Sequence, residues 1–142
     1  MLTDKDELLI GLLKINARES VASLARKLGV SRSTVQDRLN RLETSGVITG
    51  YEVRLGSKSA SGIQAFVEVT VEVAVLPAIL GELKSIPQIE TIHTVSGKFD
   101  LIAVVAARTT EKIDQVLDKI SGIRGVLRTS SAVILSTKLD RR

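Results

Sequence analysis

The strongest constraint in this sequence is a change of period. Up to Gly46 the apolar residues recur at helical spacing. From Ile63 they alternate: Ile63, Ala65, Val67, Val69, Val71 and Val73 are interleaved with Gln64, Phe66, Glu68, Thr70 and Glu72. A period near 3.6 belongs to amphipathic helices, and a period of two to a strand with one apolar face. Between the two regimes lies Gly56-Ser57-Lys58-Ser59-Ala60-Ser61-Gly62, which is almost free of large apolar side chains and reads as a hinge. The expected division is a helical domain over 1–50, a connecting strand and hinge over 51–62, and an α+β domain over 63–142.

After the strand from Ile63, Leu76, Ile79, Leu80, Leu83 and Ile86 return to helical spacing, and Pro87 stops that helix. Ile89 to Ser96 reads as a strand, Gly97 as a turn, and Phe99 to Ala107 as a third strand. A helix capped by Thr109 or Thr110 follows, with Ile113, Val116, Leu117 and Ile120 inside, and Val126 to Leu139 reads as the last strand. The order βαββαβ, with right-handed crossovers, gives a four-stranded antiparallel sheet with both helices on one face, the ferredoxin-like arrangement. The third strand is apolar on both faces: Phe99, Leu101, Ala103 and Val105 on one, Ile102, Val104 and Ala106 on the other. Two helices cover one face only. A second copy of the sheet is the simplest cover for the other, so a homodimer is expected. A tail folding back is the competing cover, but only about three residues are expected after the last strand.

The first domain reads as three short helices. Thr3 and Asp6 have capping-box spacing, and Leu8, Leu9, Leu12 and Leu13 are the expected buried face of the first helix. Ser20 caps a second helix with Val21, Leu24, Ala25 and Leu28 inside, ended by Gly29. Ser31 caps a third helix running to about Thr44, with Val35, Leu39 and Leu42 as a thin apolar stripe. Its opposite face carries Arg32, Ser33, Gln36, Asp37, Asn40 and Arg41, and Thr34 and Arg38 flank it. These side chains can hydrogen-bond base edges and phosphates. Two short helices joined by a Gly-containing turn, the second polar outside, have the helix-turn-helix pattern. Ser31, Arg32, Ser33, Thr34, Gln36, Asp37, Arg38, Asn40 and Arg41 are therefore the candidate DNA-binding residues. Val47 to Leu55 is β-prone and would make the domain winged-helix-like.

Charge supports this placement. The whole chain carries a formal net charge of +4, with no basic tail. Between Arg26 and Arg41, however, Arg26, Lys27, Arg32, Arg38 and Arg41 face one acid, Asp37. That concentration can steer the third helix toward phosphate. The chain has no cysteine, which removes disulfides, thiolate metal sites and cysteine nucleophiles and fits a cytoplasmic protein. No apolar run is long enough to span a membrane. No Ser-His-Asp set, metal-ligand cluster or phosphate loop is visible, so neither catalysis nor a cofactor is expected.

Ser20-Val21-Ala22-Ser23-Leu24-Ala25-Arg26-Lys27-Leu28-Gly29-Val30-Ser31, then Val35, Arg38, Leu39, Leu42, Glu43, Gly46, Val47-Ile48 and Gly50-Tyr51, together with Val95-Ser96-Gly97-Lys98-Phe99-Asp100-Leu101, give the chain a family likeness. In this domain order it resembles the Lrp/AsnC (feast/famine) transcriptional regulators. The resemblance implies dimers paired through the sheets and through the strand after the helix-turn-helix. It implies further assembly into octamers or open helical forms, DNA that is wrapped or bent, and an amino acid or related metabolite bound by the second domain.

Carried onto this sequence, the effector site falls at the turn between the second and third strands. Asp100 can accept from an ammonium, and amides around Ser96-Gly97-Lys98 can donate to a carboxylate. Thr94, Ser96, Gly97, Lys98, Phe99 and Asp100 are the candidates, with Thr129, Ser130 and Ser131 as a second polar cluster able to complete a pocket from a neighbouring subunit. Lys98 stands where the family often has an acidic or small residue, which favours a ligand with an acidic side chain. His93, the only histidine, is a lesser candidate for ligand contact. A plain hairpin turn and a solvated strand face are the structural alternatives. For the whole protein, the alternatives are a DNA-wrapping nucleoid protein without effector and a tetrapyrrole decarboxylase-like enzyme on the same fold.

Overall fold

The structure is a computed structural model and describes residues 1–55 and 62–141. The hinge residues 56–61 lie outside the described residues. The chain divides into two compact units, Met1–Arg54 and Leu55–Asp140.

The first unit holds three helices: α1 (Asp4–Ile15), α2 (Val21–Leu28) and α3 (Arg32–Thr44). Each is started by a hydroxyl. Thr3 Oγ1 accepts from the Asp6 amide, Ser20 Oγ from the Ser23 amide, and Ser31 Oγ from the Thr34 amide. Gly29 ends α2 at φ 67, a left-handed conformation that costs a residue with a Cβ about 1–2 kcal/mol. Leu9, Leu24, Ala25, Val35 and Leu42 form the buried centre, with Leu12, Val21, Leu28, Leu39 and Ile48 packed against it. Leu8 departs from expectation: it is 60% exposed, because Leu9 already fills the narrow centre.

A polar lock completes this unit. Asp6 is the one polar or charged residue counted among the buried residues described, at 1% exposure. It closes the capping box by accepting from the Thr3 amide (2.9 Å). It also accepts from Arg38 Nη1 (2.9 Å) and Arg41 Nη2 (2.7 Å), which stand on one flank of α3. The bond from the Thr3 backbone amide, with those from Thr3 and Arg38 side chains and the charge of Arg41, holds its carboxyl at about 2 against the desolvation that would raise it. One carboxylate thus fixes how α3 sits on α1.

Val47–Leu55 forms no strand. A β-prone segment builds a ladder only against a partner, and this segment finds none within its own unit. It is tied back to α3 instead: the Ile48 amide donates to the Leu42 carbonyl (3.0 Å), and Tyr51 Oη donates to Glu43 Oε1 (2.8 Å). Tyr51, Val53 and Leu55 stay exposed. The winged-helix expectation is therefore not met within the single chain.

The second unit contains β1 (Ile63–Val71), a 3-10 turn (Val73–Val75), α4 (Leu76–Lys84), β2 (Ile89–Thr94), β3 (Leu101–Ala107), α5 (Thr110–Ser121) and β4 (Val126–Val133). All pairings are antiparallel and the sheet order is β2-β3-β1-β4. The α+β, ferredoxin-like expectation holds, with β3 in the interior of the sheet. Ala65, Val67 and Val69 of β1 pair with Val105, Ala103 and Leu101 of β3, and all six are buried beneath Ile79, Leu83, Ile113, Val116 and Ile120 of the helices. The other face carries Phe66 (46% exposed), Ile102, Val104 and Ala106 at half-burial or more exposed.

Several ends differ from the sequence reading. β1 stops at Val71, and Val73 is exposed in the 3-10 turn. α4 ends at Lys84, before Pro87, because Ser85 turns its hydroxyl onto the Glu82 carbonyl (2.6 Å). β4 ends at Val133, so residues 134–142 follow it rather than three. Only the Ile134 amide extends the pairing, donating to the Gln64 carbonyl. Leu135 and Leu139 remain exposed, so neither covers the open sheet face.

Asp6→Asn tests the lock. A carboxyl depressed from 3.8 to about 2 contributes stability that is present above its unfolded value and is lost as pH falls toward 2. The variant is expected to unfold at lower urea than the parent at pH 7, with the gap closing between about pH 4 and pH 2. A gap independent of pH would show that the ion pairs do not hold α3.

Candidate nucleic-acid interface and effector loop

In the first unit, α2, the Gly29 turn and α3 present one outward surface. Val35 and Leu42 hold α3 down by a thin stripe. Ser31, Arg32, Ser33, Gln36, Asp37, Asn40 and Arg41 are exposed, and Thr34 is half-buried. Two parts of this surface are pre-ordered. Ser31 Oγ lies 3.1 Å from Ser33 Oγ and 2.8 Å from Thr34 Oγ1. One turn further, Gln36 Nε2 donates to Asn40 Oδ1 at 3.0 Å. A concavity lined by Ala22, Arg26, Gly29, Val30, Ser31 and Arg32 opens beside the α3 N-terminus.

The charge pattern is less free than the sequence indicates. Of the five basic residues between 26 and 41, Lys27 pairs with Glu19, and Arg38 and Arg41 pair with Asp6. Arg26 and Arg32 are exposed and hold no ion pair among the described residues. Arg38 is a correction to the sequence reading. Its guanidinium side chain is 20% exposed and turned onto Thr3 and Asp6, so it braces the helix instead of pointing outward. Arg41 keeps 58% of its side chain exposed while bonded to Asp6, and can also present an N–H to a phosphate. Asp6 is the residue that sequence reasoning missed in this role. Its signal was an acid in the first turn of α1 together with two arginines three apart on α3 (Arg38 and Arg41), but only packing shows that they meet.

In the second unit, the loop 95–100 joins β2 to β3. β2 ends at Thr94 and β3 begins at Leu101, so both strands are shorter than expected, and the Val95 amide carries the pairing one step further by donating to the Asp100 carbonyl (3.1 Å). Gly97 sits at φ 121, with open space where a Cβ would stand. Asp100 is anchored twice to β1: its amide donates to the Val69 carbonyl (3.0 Å), and its Oδ2 accepts from the Val71 amide (2.9 Å). Its second oxygen has no hydrogen-bond partner among the described residues. Ser96, Gly97 and Lys98 are exposed. Arg128 of β4 places its guanidinium 5.8 Å from the Phe99 ring centroid, a cation–π contact that brings a second cation to this end of the sheet.

The other candidates are divided by the pleat. Thr94 pairs with Leu101 and Thr129 with Val69, which puts both on the helix-covered side. Thr129 Oγ1 lies 3.2 Å from Ser121 Oγ of α5. Ser131 shares that side, opposite Val67, whereas Ser130 pairs with Glu68 on the open face. Thr129, Ser130 and Ser131 are thus not one cluster, since consecutive strand residues point to opposite faces. His93 pairs with Ile102 on the open face and is exposed.

Comparison with known proteins matches both units. Residues 2–43 fit the AsnC-type helix-turn-helix domain, and residues 64–142 fit the Lrp/AsnC ligand binding domain. An uncharacterised HTH-type transcriptional regulator of Pyrococcus abyssi is 33% identical over 137 residues, covering 93% of this chain and 91% of that protein. The HTH-type transcriptional regulator LrpA of Pyrococcus horikoshii is 30% identical over 143 residues, covering 95% and 97%. Among solved structures, the feast or famine regulatory protein of M. tuberculosis, described in complex with L-methionine, superposes with a TM-score of 0.89 at 30% identity, covering 100% of this chain and 97% of that one. These matches are to regulators and regulatory domains, not to enzymes. With a DNA-binding helix-turn-helix followed by a ligand-binding domain on a four-stranded sheet, the chain belongs to the Lrp/AsnC family of HTH transcriptional regulators.

Proposed function

We propose that the chain is a sequence-specific DNA-binding regulator whose assembly or DNA affinity responds to an amino acid or a related small metabolite. The observation that carries the DNA half is the outer face of α3: exposed Ser33, Gln36, Asp37 and Asn40 on a helix capped by Ser31 and braced from behind by Asp6. Arg26, Arg32 and the exposed part of Arg41 would take phosphates, and the uncharged side chains base edges. A DNA-wrapping protein without sequence choice needs the cations but not the ordered amides.

The effector half is supported by the loop 95–100 and by the methionine complex of the M. tuberculosis relative. The unoccupied Asp100 oxygen would accept from an ammonium, and the backbone around Gly97 would approach a carboxylate. Lys98 and Arg128 favour a ligand that carries a further acidic group. Thr129, hydrogen-bonded toward α5, and Ser130, on the opposite face, would act only from separate sides of the sheet.

Assembly follows from the open sheet face. Phe66, Ile102, Val104, Ala106 and Ala132 form one apolar strip, bordered by Glu68, Glu90, His93 and Arg128. A second copy would bury it by a two-fold contact. Two copies of α3 would then be available to a palindromic site with half-sites roughly 34 Å apart.

Thermal melts with each of the twenty amino acids test the effector. A ligand at 100 times its Kd should add about 2.7 kcal/mol of stability. Asp100→Asn, which keeps an acceptor for the Val71 amide but removes the charge, is expected to abolish that shift and leave DNA binding intact. An unchanged shift would move the site elsewhere. For assembly, sedimentation of the full chain should give a dimer or larger and Val104→Asp a folded monomer; a monomeric parent would contradict the sheet contact.

A further inference from the structure

We propose that Gln36 and Asn40 act as one adenine-reading unit on the recognition helix, so that each half-site selected by this chain contains an A·T pair that this unit contacts through its major-groove edge. The inference rests on the DNA-reading function proposed above and deepens it by naming the base.

The geometry of the pair comes first. Gln36 Nε2 donates to Asn40 Oδ1 at 3.0 Å, and both residues are exposed one turn apart. That bond uses one of the two Gln36 amide hydrogens. When that hydrogen is the one trans to Oε1, the bond leaves Oε1 as an acceptor and the cis hydrogen as a donor, side by side on a planar amide whose rotation is restrained. Adenine presents the complementary edge: the N6 amino group donates and N7 accepts, a bidentate fit for an amide. Both Asn40 amide hydrogens also remain, and can reach an acceptor on the adjoining base or phosphate. Because the pair is ordered before DNA arrives, less side-chain freedom is lost on binding.

The second observation concerns guanine. Its edge offers two acceptors, O6 and N7, and the side chains suited to it are arginine and lysine. Arg38 and Arg41 are both bonded to Asp6, and Arg38 is turned inward. Arg32 lies at the first residue of α3, about one turn before Gln36. Asp37 is exposed beside the amide pair, and its carboxylate repels an edge made of two acceptors. The middle of the helix therefore lacks a cation free to read guanine and carries an amide pair arranged for adenine.

The test uses the full chain. Duplexes are selected from a random library, and each adenine of the enriched half-site is replaced in turn by 7-deazaadenine, which pairs normally but lacks N7. At least one replacement is expected to weaken binding of the parent about fivefold or more, and to have no further effect on Gln36→Ala. The inference is overturned if no adenine is sensitive, if the sensitive bases are all guanines, or if the penalty is the same in Gln36→Ala and Asn40→Ala as in the parent. Failure to enrich any sequence would instead remove the DNA-reading function, and this assignment with it.

Discussion

The β1–β3 pair sets the terms for the second unit. Ala65, Val67, Val69 and Val71 of β1 and Leu101, Ala103 and Val105 of β3 are buried on the helix side, and the intervening residues of β3 are still apolar. The helices are spent on one face. The tail, although longer than the sequence indicated, leaves Leu135 and Leu139 exposed. An apolar strip on a sheet of this kind is a demand for a partner, and the proposed two-fold copy would answer it with the same residues on both sides.

In the first unit a different interaction has the corresponding role. The apolar centre is small, and a stripe as thin as Val35 and Leu42 leaves a helix some freedom to roll. Asp6 removes that freedom by bonding Arg38 and Arg41 while closing the cap of α1. The arrangement separates duties along α3. One flank is anchored to α1, and the face carrying Ser33, Gln36, Asp37 and Asn40 is left exposed, as the proposed groove contact requires. Two of the five local cations are removed from the outward field in whole or in part, and Lys27 is neutralised by Glu19. What remains is a modest positive charge around an ordered polar surface, which suits selectivity more than indiscriminate attraction to phosphate.

Much of this was legible in the sequence, because period and punctuation report local structure directly. The Thr3, Ser20 and Ser31 caps, the Gly29 turn, the alternation of β1 and the sheet topology all follow from residue type and spacing, while the choice between Thr109 and Thr110 as the cap of α5 is settled only by the Lys112 amide bonding to Thr109 Oγ1. What was not legible depends on contacts remote in sequence. Arg38 flanks the polar face on a helical projection and counts there as a candidate for DNA, but Asp6, 32 positions earlier, turns it in. Val47–Leu55 has strand composition without a strand partner in its own unit. Thr129, Ser130 and Ser131 look like one polar cluster until the register assigns them to opposite faces. Asp100 was read as free to bind a ligand, whereas one of its oxygens already secures the Val71 amide.

On the proposed function, α3 reads sequence and does not merely attract phosphate. The most direct measurement is the affinity of the full chain for a selected duplex and for a random duplex of equal length, followed over a range of salt concentrations. Both affinities should fall with salt as counterions are released. The selected duplex should stay tighter by about a thousandfold or more at physiological salt, since base contacts add to the phosphate contacts common to both. Equal affinities at every salt concentration would contradict the account, and would make this chain a protein that binds the DNA backbone alone.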